Sequence, residues 1–148
     1  MARRSKSELI DRYYSGNPVE IVNGDIAAFS CLPGKELSYL WDSRVRGLAI
    51  RATPSGRKTY IVRRDLVTPS GRKQYKTAIG ACDELTLEDA RQKAEALIRR
   101  CAELGLTPTE IEIYQENERK QADERERQRL ELIEKAKAQQ ANYTLAKL

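Results

Sequence analysis

The 148-residue chain contains no histidine. That absence removes His-ligated metal sites and every nucleophile pair that uses an imidazole as its base. Cysteine is scarce: Cys31, Cys82 and Cys101 stand far apart, without CxxC spacing. An odd, scattered set fits reduced thiols in a cytosolic protein, each acting as a small buried hydrophobe. Long apolar runs are missing too. The opening MARRSKSELI lacks the apolar core of a signal peptide, and no stretch reaches the length of a membrane span. Neither GxGxxG nor a Walker loop occurs. Carboxylates are frequent, but they sit on charged helical stretches rather than beside glycine-rich turns. These absences predict a non-enzyme without catalytic residues, metal or cofactor.

Charge of one sign is abundant, and it is concentrated. The net charge is +5. Between residues 43 and 76 there are ten basic residues and one acid, Asp65, a local net charge of +9, so the rest of the chain sums to −4. One sign gathered on one segment points to a polyanionic partner more strongly than overall pI does.

That segment has the pattern of a β-meander. Residues 37–42, 46–53, 57–66 and 72–80 are strand-like. In the last three, β-branched or aromatic residues alternate with polar ones. Leu48, Ile50 and Ala52 share one face of the second run, and Ala49 and Arg51 the other; Tyr60 and Val62 oppose Thr59, Ile61 and Arg63; Tyr75, Thr77 and Ile79 oppose Gln74, Lys76 and Ala78. The hexapeptide TPSGRK occurs at residues 53–58 and again at 68–73, each time between two such runs. Pro, Ser and Gly in that order suit a tight turn, with Gly supplying the positive φ. The Arg-Lys that follows places two cations just past each turn.

Upstream, residues 1–18 read as a loosely held basic arm, residues 20–22 as a short strand, and residues 25–31 as a short helix. Downstream, Thr86 caps an amphipathic helix whose apolar residues Leu87, Ala90, Ala94, Leu97, Ile98, Cys101 and Leu104 recur at three- and four-residue steps. Gly105 and Pro108 stop it. Residues 109–141 form a charged helical linker with charges spaced for i,i+4 pairing but no sustained heptad. Asn142 to Leu145 read as the opening of a further element, which suggests truncation before the next domain. The predicted fold class is α+β: a small antiparallel sheet of three to four strands packed on one amphipathic helix, followed by a long charged C-terminal helix.

A sheet with one helix-covered face and one basic face suits duplex DNA, because a strand pair or small sheet fits the major groove. Turn cations neutralise phosphates, and mid-strand polar groups reach base edges. On that logic Arg57, Lys58, Arg72 and Lys73 position the sheet, while Arg51, Arg63, Gln74 and Lys76 read sequence.

The stretches YLWDSRVRGLAIRATPSGRKTYIVRR, KTAIGACDELTLEDARQKAEAL and GLTP together resemble the N-terminal arm-type DNA-binding domain of phage-type integrases in the tyrosine recombinase family. The matching positions are Asp42, Gly47, Leu48, Pro54, Gly56, Tyr60, Gly80, Leu87, Ala90, Arg91, Gly105 and Pro108. The resemblance covers residues 19–108. Cys82-Asp83-Glu84 departs from the aromatic-Pro segment usual after Gly80, and eighteen residues precede the matching part. It implies recognition of arm-type attachment sites on mobile-element DNA in the bacterial cytoplasm, at the nucleoid. It further implies separate core-binding and catalytic domains, begun at residues 142–148, and other integrase protomers as partners, with no membrane association. The family's catalytic histidine and tyrosine nucleophile lie beyond this segment, so none of the seven tyrosines is read as a nucleophile. Two other classes compete: an RNA-binding module, disfavoured by few aromatics for base stacking, and a protein-interaction module oligomerising through residues 109–140.

Overall fold

The computed structural model describes the backbone of residues 5–146 and side chains as far as residue 144. Two compact units divide after Pro108. In the first, four strands form one antiparallel sheet in the order β1(Ser38–Trp41), β2(Leu48–Ala52), β3(Lys58–Thr68), β4(Gly71–Ala81). The period-two runs of the sequence become these strands, and both TPSG segments become their turns. In the first turn the Gly56 amide donates to the Thr53 carbonyl at 3.0 Å, with Gly56 at φ +88°. In the second, the Thr68 hydroxyl donates to the Gly71 carbonyl at 2.7 Å.

Register assigns the faces, because directly paired residues of antiparallel strands share a side. Leu40 pairs with Ile50, and Ile50 with Tyr60; Leu48 pairs with Val62, and Val62 with Thr77. This face is buried under α3(Leu87–Leu104), which packs on β3 and β4. A register shift between Tyr60 and Ile61 takes Ile79 out of the pairing, so Tyr60 meets Gly80 and Ile61 meets Ala78. A Cβ at position 80 would lie 3.1 Å from Leu85, so the glycine lets the segment leading into α3 lie close to the sheet. α3 starts as expected, with the Thr86 hydroxyl accepting from the Asp89 amide at 3.1 Å. It ends at Gly105, which takes the left-handed conformation and donates to the Cys101 carbonyl at 2.9 Å. Ala90, Ala94 and Cys101 form its buried stripe.

One residue of that helix face is charged. Arg91 is buried, and its guanidinium grips the fully buried Asp42 through two hydrogen bonds of 3.0 and 3.1 Å. A third bond, of 2.6 Å, reaches the Ile21 carbonyl. Asp42 also accepts from the amides of Ile21 and Val45, at 3.3 and 3.1 Å. One ion pair thus ties the helix to the end of β1 and to the segment before α2.

Gly47 holds the β1–β2 connection in a conformation only glycine tolerates, with φ at +99°. A Cβ there would lie 2.7 Å from the Arg63 carbonyl oxygen and 2.6 Å from the Arg64 side chain. Gly47→Ala is expected to destabilise the domain by about 2 kcal/mol, from the positive φ and the backbone clash together, measured as a lowered denaturant midpoint with unchanged slope.

The N-terminal region departs from expectation. Where a loose arm is predicted, Lys6–Tyr14 form α1, capped reciprocally by Ser5 and Glu8. The helix is held down at Asp25, which accepts from the Arg12 guanidinium at 3.0 and 2.6 Å and from the buried Tyr13 hydroxyl at 3.0 Å. Tyr13 meets the buried Phe29 ring edge-on, with centroids 5.5 Å apart. The basic start of the predicted arm, residues 1–4, lies outside the described residues. α2 spans Asn23–Ala28 rather than residues 25–31. Asp25 accepts from the Val22 amide three residues back at 3.0 Å and so fixes the helix start ahead of itself. No strand forms at the expected residues 20–22; a parallel bridge joins Val19, just before them, to Asp42.

In the second unit, α4(Pro108–Ala146) is continuous. Pro108 stands at its first position, where a missing N–H costs nothing. No new element opens at residues 142–145; the Thr144 hydroxyl donates back to the Gln140 carbonyl at 2.9 Å within the helix. Ion pairs described along it are at i,i+3, with Arg119 on Glu116, Arg127 on Glu124 and Arg129 on Glu126. Among the described residues no helix is long and apolar enough to cross a membrane, and no cluster of three potential ligands could hold a metal. Of the cysteines only Cys101 is buried; Cys31 and Cys82 are partly exposed, contrary to the expectation for all three. Burial nonetheless pushes the Cys82 thiol up to about 11, so it is a neutral thiol at physiological pH.

Candidate nucleic-acid interface

The face of the sheet opposite α3 carries the other half of each alternation. Tyr39 pairs with Arg51, and Arg51 with Thr59; Trp41 pairs with Ala49, and Ala49 with Ile61. Arg63 pairs with Lys76, and Asp65 with Gln74. Four of the predicted residues, Arg51, Arg63, Gln74 and Lys76, therefore stand on one surface. Arg63, Gln74 and Lys76 are exposed and Arg51 is half-buried.

Two aromatic residues of β1 organise this surface, neither of them among the residues expected to bind DNA. Tyr39 and Trp41 stack at a centroid distance of 5.7 Å and an interplanar angle of 19°. The Arg63 guanidinium lies 4.4 Å from the Trp41 ring centroid. The Lys76 ammonium lies 5.3 Å from the Tyr39 centroid and donates to its hydroxyl at 3.0 Å. Each ring face attracts the cation above it, so both cations are oriented before any partner arrives. The signal was present in YLW: alternation places Tyr39 and Trp41 on the face opposite the buried Leu40.

The second TPSGRK copy delivers its cations differently from the first. In the first copy the strand resumes only at Lys58, on the helix-covered face, opposite the buried Ala52. The Lys58 ammonium donates to the Ile26 and Ala27 carbonyls at 2.6 and 3.2 Å and so caps the end of α2. Its predicted partner is a phosphate, yet the fold supplies acceptors for two of its three donors. Arg57 remains exposed in the loop. In the second copy the loop is only Pro69-Ser70, so Arg72 and Lys73 lie within β4. Arg72 pairs with Val67 on the open face and reaches Asp65 at 3.7 Å; Lys73 pairs with Leu66 on the other side.

At the β1–β2 end of the open face a groove of about 560 Å³ is lined by Arg46, Arg63, Arg64 and Arg72 with Gly16 and Trp41 among their neighbours. Arg46 extends the basic surface beyond the residues singled out from sequence, and Arg64, paired with Tyr75 on the helix-covered side, also lines the groove. Arg64 is partly committed, donating to the Arg46 carbonyl at 3.2 Å. The surface as a whole offers many cationic donors and one acid. It can neutralise anions and donate hydrogen bonds.

The family model described as the Arm DNA-binding domain matches residues 24–115, well over half of the chain. No curated protein and no solved structure matches it. The matched span takes in the whole sheet, α3, the Asp42–Arg91 pair and the open basic face. The chain belongs to the family of N-terminal arm-type DNA-binding domains of phage integrases, non-catalytic modules that bind DNA.

Proposed function

We propose that this domain recognises arm-type attachment sites in double-stranded DNA sequence-specifically, with the open face of its sheet in the major groove. The observation that carries the reading is the gathering of Arg51, Arg63, Gln74 and Lys76 on one surface. Arg63 and Lys76, held over Trp41 and Tyr39, reach base edges, where Arg and Lys pair with guanine O6 and N7. Arg51 and Gln74 contribute further readout. Arg57, Arg72 and Lys73, with Arg46, sit at the margins and contact phosphates. The parent protein is a tyrosine-family site-specific recombinase of a phage or related mobile element, acting at the bacterial nucleoid. Its core-binding and catalytic domains follow the charged helix, and its other protomers occupy neighbouring sites. Single-stranded RNA is served less well, because the ring pair on this face already carries two cations.

The test is fluorescence anisotropy with a labelled duplex from the element's attachment region, titrated against random competitor at two salt concentrations. Tight binding that survives competitor and weakens with salt supports the reading; equal, weak binding to every duplex contradicts it. The aromatic support is testable separately. Trp41→Leu keeps apolar bulk but removes the ring face under Arg63. Affinity is expected to fall roughly two- to fivefold, the worth of an exposed cation–π contact, with little change in the thermal midpoint.

A further inference from the structure

The single acid in the basic segment, Asp65, lies on the open face. Along β3, Arg63, Asp65 and Val67 point the same way, opposite Lys76, Gln74 and Arg72 respectively. β2 pairs with β3 as far as Val62 and the Arg63 amide still donates to the Gly47 carbonyl at 2.8 Å, so the Arg63 row closes the sheet and the Asp65 and Val67 rows project past it as a two-stranded ribbon. A two-stranded ribbon fits the major groove. Rows two residues apart repeat at about 6.8 Å, close to two base-pair steps of about 3.4 Å each. The three rows thus offer two cations, then a carboxylate with an amide, then an exposed isopropyl group beside a guanidinium.

Packing does not call for a carboxylate at this position. The Asp65 side chain is 47% exposed, and its partners are surface groups: the Gln74 amide at 3.3 Å and the Arg72 guanidinium at 3.7 Å, the latter 71% exposed. Attraction to phosphates does not call for it either, since a negative charge there opposes the +9 around it. A carboxylate accepts hydrogen bonds and never donates them when ionised. In the major groove the complementary donors are the exocyclic amino groups of cytosine and adenine.

We propose that Asp65 is a specificity-determining residue. Steadied by Gln74 and Arg72, its carboxylate accepts from one exocyclic amino group of cytosine or adenine. The same charge repels backbone phosphates and so keeps the ribbon from settling on DNA of arbitrary sequence. This rests on the assignment of the open face to the major groove.

Selection from a randomised duplex pool, with the full chain as wild type and as Asp65→Ala, tests it, alongside anisotropy on the selected and random duplexes. The wild type is expected to enrich cytosine or adenine at one position that Asp65→Ala leaves flat, while the other preferred positions persist. Random-duplex affinity rises in the variant, and the selected-to-random ratio falls roughly tenfold, the low end of what one good base contact discriminates. Asp65→Asn, which keeps the shape and one acceptor oxygen but drops the charge, should fall between the two. If every position keeps its preference while both affinities rise by one common factor, Asp65 is only a solvated charge and the proposal is overturned. If the wild type itself enriches nothing, sequence-specific recognition fails first, and this proposal with it.

Discussion

Arg91→Leu is expected to destabilise the domain by about 3–5 kcal/mol, the cost of leaving a buried ion unpaired. Against a typical total of about 5–15 kcal/mol, that leaves a marginal or unfolded protein. Side-chain exposure of the pair is 8% for Arg91 and 0% for Asp42, so solvent does little to screen the loss. The pH dependence carries a signature of its own. Burial works to raise the Asp42 carboxyl, but hydrogen bonds from Arg91 and from the Ile21 and Val45 amides outweigh it and hold the group below its ordinary range. A depressed folded-state pKa contributes stability that is complete above the unfolded value of about 3.9 and is lost as pH falls through the folded value. Asp25, lowered by Arg12, the Val22 amide and Tyr13 against burial, acts in the same direction. Without Arg91, burial dominates at Asp42 and its pKa rises. The deficit of the variant relative to wild type should then shrink as pH falls from neutral into the mildly acidic range. Denaturant melts of both proteins across that range check this; a deficit independent of pH would contradict it. Asp42→Leu combined with Arg91→Leu should recover only part of the loss, because the Ile21 and Val45 amides would still lack their acceptor.

Arg63→Glu and Lys76→Glu should each weaken binding to the attachment-site duplex on the order of 100-fold. A lost base contact costs about 1–3 kcal/mol, and the reversed charge adds repulsion. Both side chains are exposed, so the fold should survive. The slope of log affinity against log salt should become shallower, since fewer counterions are released. Lys58 supplies the contrast. Lys58→Met removes a cation from the same hexapeptide motif, but that cation bonds to the end of α2. It should lower stability and leave DNA affinity almost unchanged. A loss of affinity in Lys58→Met equal to that in Arg63→Glu would mean that bulk charge, not placement on one face, governs binding.

The sheet was legible because alternation, turn chemistry and strand length all act within a few residues. The cap at Thr86 and the stop at Gly105 were legible for the same reason. α1 carried a local signal too: Ser5 and Glu8 form the S-x-x-E pattern of a capping box, set beside a run of cations that is equally the composition of a solvated arm. What was not legible depends on partners far apart in the chain. Arg91 and Asp42 are 49 positions apart, and Arg12 and Asp25 are 13 apart. Each looks like a surface charge until the fold brings its partner. Position after a turn marks Lys58 as a phosphate cation, but register with Ala52 sets it on the helix-covered face, where it bonds to the end of α2. The Tyr39–Trp41 support was visible as alternation, but the stacking of cations on it depends on β1 and β3 lying on either side of β2.

The central claim is that DNA binds the open face of the sheet, and backbone amide chemical-shift mapping during titration with the attachment-site duplex tests it most directly. The account predicts that shifts concentrate along Tyr39–Trp41, around Arg51, and along β3 and β4 from Arg63 to Lys76, while α3 stays still. Shifts confined to α3 or α4, with the open face unchanged, would contradict it.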